Sequence, residues 1–205
     1  MIYIGVTGGI GSGKSLVCSL FEKKNIPIFY ADIVAKEIPE KNPAVLNEII
    51  ETFGQDVLNI HSRTLNKKKL ADIVFAEHEQ LLKLNAILHP RVFDEFEAWK
   101  RNLPKSRPYA IVEAALMFES GMDDRVDYVL AITADDLIRV KRVVNRDVST
   151  EDQIRARMKH QLPSEELIEY ADFVLHNNGT IEELGAKIDF FDLLFATLTT
   201  RKEEE

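Results

Sequence analysis

Gly8-Gly9-Ile10-Gly11-Ser12-Gly13-Lys14-Ser15 completes the pattern Gly, four residues, Gly-Lys-Ser, directly behind the apolar run Ile2 to Val6. A strand, a glycine-rich turn and a helix start in that order read as a phosphate-binding loop. Glycines let the chain bend tightly and approach an anion closely, so that successive backbone N–H groups turn inward on a polyphosphate. In such a loop Lys14 reaches the β- and γ-phosphates and Ser15 holds Mg²⁺. The helix expected from about Ser15 to Lys24 points its positive dipole end at the same anion. The bland alternative is a Gly-rich turn with a solvated lysine, and the complete pattern behind a strand outweighs it. A dinucleotide fingerprint starting at Gly9 and Gly11 needs a third glycine where Lys14 stands. The ligand is therefore read as a nucleoside triphosphate.

At 205 residues the chain suffices for one domain with a real core and a substantial insertion. Its net charge of −8 argues against nonspecific adherence to nucleic acid or an anionic membrane, so a local cluster of donors must hold the anion. The single cysteine, Cys18, allows no disulfide within the chain and reads as a small buried apolar residue of the first helix. The chain opens on a strand pattern, without a basic leader, and no segment approaches the ~18 apolar residues of a membrane span. The expectation is a soluble cytoplasmic protein. No pattern in the chain fixes its oligomeric state.

Short apolar runs alternate with longer helical patterns, which is the signature of parallel strands joined by crossover helices. The expected strands are 2–7, 27–30, 109–113, 128–133 and 173–176. From about Ile33 to Pro108 the apolar positions Val45, Ile49, Phe53 and later Leu81, Leu84, Leu88 repeat every three to four residues. That stretch reads as a helical insertion without a convincing strand. His89-Pro90 marks a break between two helical patterns, since proline suits a first helical turn. Residues 201–205 read as a solvated frayed end.

Several acids and bases fall where ligands bind in such a sheet. Asp32 follows the second strand, at the carboxyl edge beside the loop, where it serves either as a base for an attacking hydroxyl or as a helix N-cap. Glu113 closes the third strand, the usual place for a carboxylate acting on Mg²⁺ or its water shell, with a structural hydrogen-bonding role as the alternative. Glu119 follows as either a substrate contact or a surface residue. Arg139, Lys141, Arg142, Arg146, Arg155 and Arg157 concentrate positive charge in an acidic chain. Such a run is usually a solvated face. Arg142 and Arg146, four apart, share one helical side, and guanidinium forks there could cover the transferring phosphoryl group as part of a lid over 139–161. His89 reads as a packing residue or a contact to substrate phosphate. Asn177-Asn178-Gly179 makes a turn whose amides can also lie against a base edge.

These motifs, in this order, resemble the dephospho-CoA kinase family from Ile2 to about Ile188. Gly5 through Ser15 looks like the family's opening, and Tyr30-Ala31-Asp32 matches its Asp-Ala-Asp with tyrosine for the first acid. Leu88-His89-Pro90 is similar to its Leu-His-Pro, and Ala115-Leu116-Met117-Phe118-Glu119 to its Pro-Leu-Leu-Phe-Glu with alanine for proline. Arg142, Arg146-Asp147 and Gln161 fall on the lid pattern, and Ala171-Asp172-Phe173-Val174 with Asn177-Asn178-Gly179 on the closing segment.

The resemblance implies a three-layer α/β fold of the P-loop NTPase kind, with a five-stranded parallel sheet, a helical substrate-binding insertion over 33–108 and the lid. It implies ATP-dependent phosphorylation of the ribose 3′-hydroxyl of dephospho-coenzyme A, the last step of coenzyme A synthesis. Catalytic roles then go to Asp32 as base, Lys14, Arg142 and Arg146. ATP sits on Gly8, Gly9, Ile10, Gly11, Ser12, Gly13, Lys14, Ser15 and Leu16, with Asn177 and Asn178. Thr7, Asp32, His89 and Glu119 meet the acceptor, and Mg²⁺ takes Ser15 with Glu113 nearby. Two alternatives stand beside this reading. Another small-molecule or nucleoside monophosphate kinase would use the same scaffold. A nucleotide-gated switch would need an Asp-x-x-Gly element and an Asn-Lys-x-Asp guanine reader, and the chain has neither.

Overall fold

A computed structural model describes residues 1–59, 62–104, 106–146 and 161–204. The chain divides into two compact units, one formed by Met1–Tyr30 with Leu103–Glu205 and the other by Ala31–Asn102. The first is built on β1 (Ile2–Thr7), β2 (Ile28–Tyr30), β5 (Tyr109–Glu113), β6 (Tyr128–Thr133) and β7 (Phe173–His176), all parallel, in the order β2-β5-β1-β6-β7. The five expected strands are thus present. Those at the centre are apolar almost throughout because both faces are covered, which is why they read as continuous runs without alternation. From β1 the chain leads to β2 and β5 on one side and then crosses to β6 on the other. The crevice beside β1's carboxyl end is the place where such a sheet binds ligands.

Helix α1 (Lys14–Lys23) follows the glycine-rich loop and buries Val17, Cys18 and Phe21 against the sheet. The last helix, here α9 (Ile181–Glu204), lays Leu184, Ile188, Phe191 and Phe195 on the same core. Residues 201–204, expected as a frayed tail, continue this helix in their backbone. Phe195 is the centre of an aromatic knot, with ring centroids of Tyr109, Phe191 and Phe173 at 5.5, 5.6 and 5.7 Å. The knot is locked from outside: the Tyr109 hydroxyl donates to Asp192 at 2.6 Å, and Lys24 pairs with Asp189 at 2.7 Å and Asp192 at 3.2 Å.

The second unit comprises α2 (Ala31–Lys41), α3 (Pro43–Phe53), the two-stranded hairpin β3 (Leu58–Asn59) and β4 (Thr64–Leu65), α4 (Lys67–Ala76) and α5 (His78–Arg101). Helix starts are written in the sequence. Asn42 accepts from the N–H groups of Ala44 and Val45 ahead of Pro43, and Asn66 accepts from that of Lys69. The hairpin corrects the expectation of helices alone, because two-residue strands carry too little alternation to register.

His89-Pro90 also departs from expectation, since α5 runs through it unbroken. Proline removes one helical donor and crowds the preceding turn, at a cost of ~3 kcal/mol. Packing of Ile87, Val92 and Phe96 in the core of this unit holds the helix across the site. Arg91 donates to the Ile87 carbonyl at 3.0 Å and to Glu48 of α3 at 2.7 Å, supporting the turn where the backbone ladder is incomplete.

Two expectations concern stability. Phe195→Ala removes the hub of the knot and should cost about 3–5 kcal/mol in urea unfolding; a loss below about 1 kcal/mol would disprove the role given to that ring. Burial holds the His89 imidazole below its ordinary value of 6.5. On acidification from that value the unfolded chain takes up the proton first, so stability contributed by neutral His89 falls as the pH falls toward the depressed folded value. His89→Gln should flatten the stability–pH curve just below pH 6.5, and an unchanged slope would count against it.

Candidate active site

The loop between Thr7 and Lys14 leaves β1 at its carboxyl end, and its geometry follows from what happens to its carbonyls. Gly8 O accepts from Lys14 Nζ at 2.9 Å, Ile10 O from Arg139 Nε at 3.0 Å, and Ser12 O from Asn177 Nδ2 at 2.8 Å and Arg142 Nη1 at 3.4 Å. In a trans peptide the N–H of the following residue points opposite to the carbonyl. The Ile10 and Ser12 carbonyls, drawn outward, therefore turn the Gly11 and Gly13 N–H groups the other way, which makes the cradle for an anion. Only glycine fits at two of its corners. Gly11 has φ +79° and a Cβ there would lie 2.5 Å from the Arg139 carbonyl; Gly13 has φ +99° and a Cβ there would strike the Asn177 amide.

Two hydroxyls at the loop stand out. Thr7 Oγ1 and Ser12 Oγ are buried and have no hydrogen-bond partner among the described residues. An unsatisfied buried hydroxyl costs ~1–3 kcal/mol. Lys14 crosses the cradle with its ammonium 3.6 Å from Glu113 Oε1, both side chains nearly buried at 13% and 10% exposure. Glu113 ends β5 opposite Val6 of β1 and Tyr30 of β2, so sheet register alone carries it to the loop. Behind them burial pushes the Cys18 thiol up to about 12, the Glu113 carboxylate adding to the rise and Lys14 opposing it. Cys18 is a neutral packing residue, as its place in the sequence suggested. Burial and a hydrogen bond with Glu22 likewise push the Tyr30 phenol well above its ordinary range.

The remaining residues of interest fall into place as follows. Helix α7 (Asp136–Arg146) carries Arg142 to Ser12 and Arg139 to Ile10; Arg146 ends it, with its side chain and all of residues 147–160 outside the described residues. Gln161 accepts from the Ile10 N–H at 2.8 Å, and Glu119 of α6 (Met117–Ser120) accepts from the Leu162 N–H at 3.3 Å. Asn178 receives the Asp135 N–H at 2.9 Å and donates to the Asp135 carboxylate at 2.8 Å. The chain bends at Gly179. Asp32 is the second residue of α2, in its first turn, a position inside the helix where a carboxylate favours the dipole. His89 lies in α5 with its ring 6.3 Å from that of Phe93.

Arg139 is the residue whose role the sequence did not single out. It stood in the basic run with nothing to separate it from solvated neighbours, and its burial to 6% exposure is a tertiary fact. For a divalent cation the site offers the exposed Ser15 hydroxyl and the Glu113 carboxylate, both hard oxygen donors. Among the described residues no group of three or more His, Cys, Asp or Glu side chains gathers to hold a metal. That donor set suits an ion taking most of its ligands from phosphate oxygens and water, as Mg²⁺ does. No helix among the described residues is long and apolar enough to cross a membrane.

Comparison with known proteins agrees over nearly the full length. The sequence profile of the dephospho-CoA kinase family matches residues 2–183. A dephospho-CoA kinase of Salinibacter ruber is 45% identical over 188 residues, covering 91% of this chain and 94% of that protein. One of Chlorobaculum tepidum is 38% identical over 192 residues, covering 92% of each. A crystal structure from Thermus thermophilus superposes with a TM-score of 0.81 at 32% identity, covering 94% of this chain and 96% of that one. A dephospho-CoA kinase from Campylobacter jejuni shares the fold with a TM-score of 0.71 at 24% identity, covering 95% and 97%. Similarity of this extent, running through the loop and both of its flanks, leads to one conclusion: the chain belongs to the dephospho-CoA kinase family.

Proposed function

We propose that this chain transfers the γ-phosphoryl group of ATP to the ribose 3′-hydroxyl of dephospho-coenzyme A, giving coenzyme A and ADP. The observation that carries the reading is the cradle itself: a loop with its carbonyls held outward, two buried hydroxyls without partners and a lysine across it, in a chain of this family. In the reaction the 3′-oxygen attacks the γ-phosphorus, the bond from that phosphorus to the bridging oxygen of ADP breaks, and the hydroxyl proton leaves to a carboxylate. We assign that carboxylate to Asp32, which stands two residues beyond the end of β2. Phosphoryl transfer passes through a loose transition state, so placement and charge neutralisation contribute more than proton removal.

Lys14 neutralises the β- and γ-phosphates, and Glu113 holds its ammonium in the cradle before nucleotide arrives. Residues 8–16 hold the phosphates through those N–H groups not already engaged, since the Ile10 N–H donates to Gln161 and the Ser12 N–H to the Gly9 carbonyl, and Thr7 is assigned to the acceptor. Arg142, starting from a contact with Ser12 O, is assigned to cover the transferring group, and Arg146 is assigned the same role from the lid pattern alone. Ser15 and Glu113 would hold Mg²⁺ together with phosphate oxygens and water. Bound there, the ion supplies charge neutralisation at the bridging and terminal oxygens. His89 and Glu119 are assigned to acceptor binding, within the helical insertion and on α6 respectively.

Direct comparison of phosphate transfer from radiolabelled ATP to dephospho-coenzyme A and to nucleoside monophosphates tests the reading. Transfer chiefly to dephospho-coenzyme A is expected; a preference for a nucleoside monophosphate, or slow hydrolysis without an acceptor product, would overturn it. Lys14→Ala and Arg146→Ala should each lower kcat by about 10²–10³, and normal turnover in either variant would remove that residue from the mechanism. Asp32→Asn should lower kcat by about 10²–10⁴ with ATP binding retained in calorimetry. Loss of ATP binding in that variant would instead mark Asp32 as structural.

A further inference from the structure

Both backbone groups of Ile10 are held by side chains from outside the loop, the N–H by Gln161 and the C=O by Arg139. Its own side chain packs on Val140 and Val143 of α7. Arg139 is therefore placed by more than one force. Its Nη1 donates to Asp136 Oδ1 at 2.9 Å and to Ser164 Oγ at 3.0 Å, the latter from α8 (Ser164–Tyr170). Burying a guanidinium is costly, and the partner carboxylate of Asp136 is 66% exposed, which limits what their attraction returns. A pair of this kind is a poor source of stability. What the buried fork does provide is direction: its Nε fixes the Ile10 carbonyl, and the peptide plane then sends the Gly11 N–H the opposite way. Gly11, at φ +79° and in backbone contact with Arg139, takes up the turn.

We propose that Arg139 is a positioning residue of the phosphate loop, acting through the Ile10 carbonyl to aim the Gly11 N–H at the bound triphosphate. Asn177 does the same one step along, through Ser12 O and the Gly13 N–H. Neither side chain needs to touch the nucleotide. The inference rests on the nucleotide-binding reading of the loop and adds to it the residues that set its shape.

Amide spectra of ¹⁵N-labelled protein and calorimetric titration with ATP and Mg²⁺, without acceptor, test the idea in Arg139→Met, Arg139→Lys and Ser164→Ala. Arg139→Met should displace the Ile10 and Gly11 resonances while Leu130 and Ile132 of β6 stay in place, and should weaken ATP binding about tenfold. Ser164→Ala, which removes one anchor of the fork, should shift the same resonances less and weaken ATP about two- to threefold. Arg139→Lys separates direction from charge. Weakened ATP binding with displaced Gly11 supports positioning, whereas full affinity with Gly11 displaced means that only the charge matters and overturns it. Unmoved loop resonances in Arg139→Met, or displacement spread through β6, also overturn it. Wild-type protein that binds ATP but does not phosphorylate dephospho-coenzyme A would defeat the proposed reaction and leave the role of Arg139 standing.

Discussion

A peptide group cannot turn its donor inward without turning its acceptor outward, and most of this molecule's first unit is arranged around that constraint. The loop after β1 must show N–H groups to an anion, so the carbonyls of Gly8, Ile10 and Ser12 need partners elsewhere. Those partners come from α1, from α7 and from the turn behind β7. The last two reach the loop because β6 pairs with β1 and β7 with β6, so that Ala131 stands beside Thr7 and His176 beside Thr133. Asn177, the next residue, emerges at the height of the loop, its own N–H held by the Thr133 carbonyl at 2.7 Å. Strand order is thus a device for delivering hydrogen-bond donors to the Ile10 and Ser12 carbonyls.

The other flank of β1 delivers charge. Glu113 arrives beside Val6 by register with β5, and its carboxylate balances the ammonium of Lys14. A lysine buried without a counter-charge would lose its proton or leave the cradle. The pair therefore holds the Lys14 side chain in place. Thr7 and Ser12 represent the opposite choice, buried hydroxyls left without partners among the described residues, at a local cost in stability.

Much of this was legible in the chain. The five parallel strands and their limits follow from short apolar runs, and α1 and the loop from Gly8 to Ser15, because local chemistry decides them. Asn42 and Asn66 announce their helices for the same reason. What was not legible depends on neighbours distant in sequence. Pro90 stays inside a helix because Ile87, Val92 and Phe96 are buried around it, and no pattern at residue 90 reveals that. Arg139 and Arg142 look alike in the sequence, three residues apart on one helix. Burial under the loop separates them.

Tyr30 shows how the site's charge depends on such neighbours. The family pattern has an acid at this position, and the register of β2 with β5 sets residue 30 directly beside Glu113. Two carboxylates on adjacent strands in a nearly buried setting would repel, and one would be driven toward its protonated form. Burial and the hydrogen bond with Glu22 keep the Tyr30 phenol neutral. Residue 30 thus adds no carboxylate beside Glu113, which pairs with Lys14. The substitution that departs most visibly from the pattern leaves Glu113 without a second carboxylate at the paired position of β2.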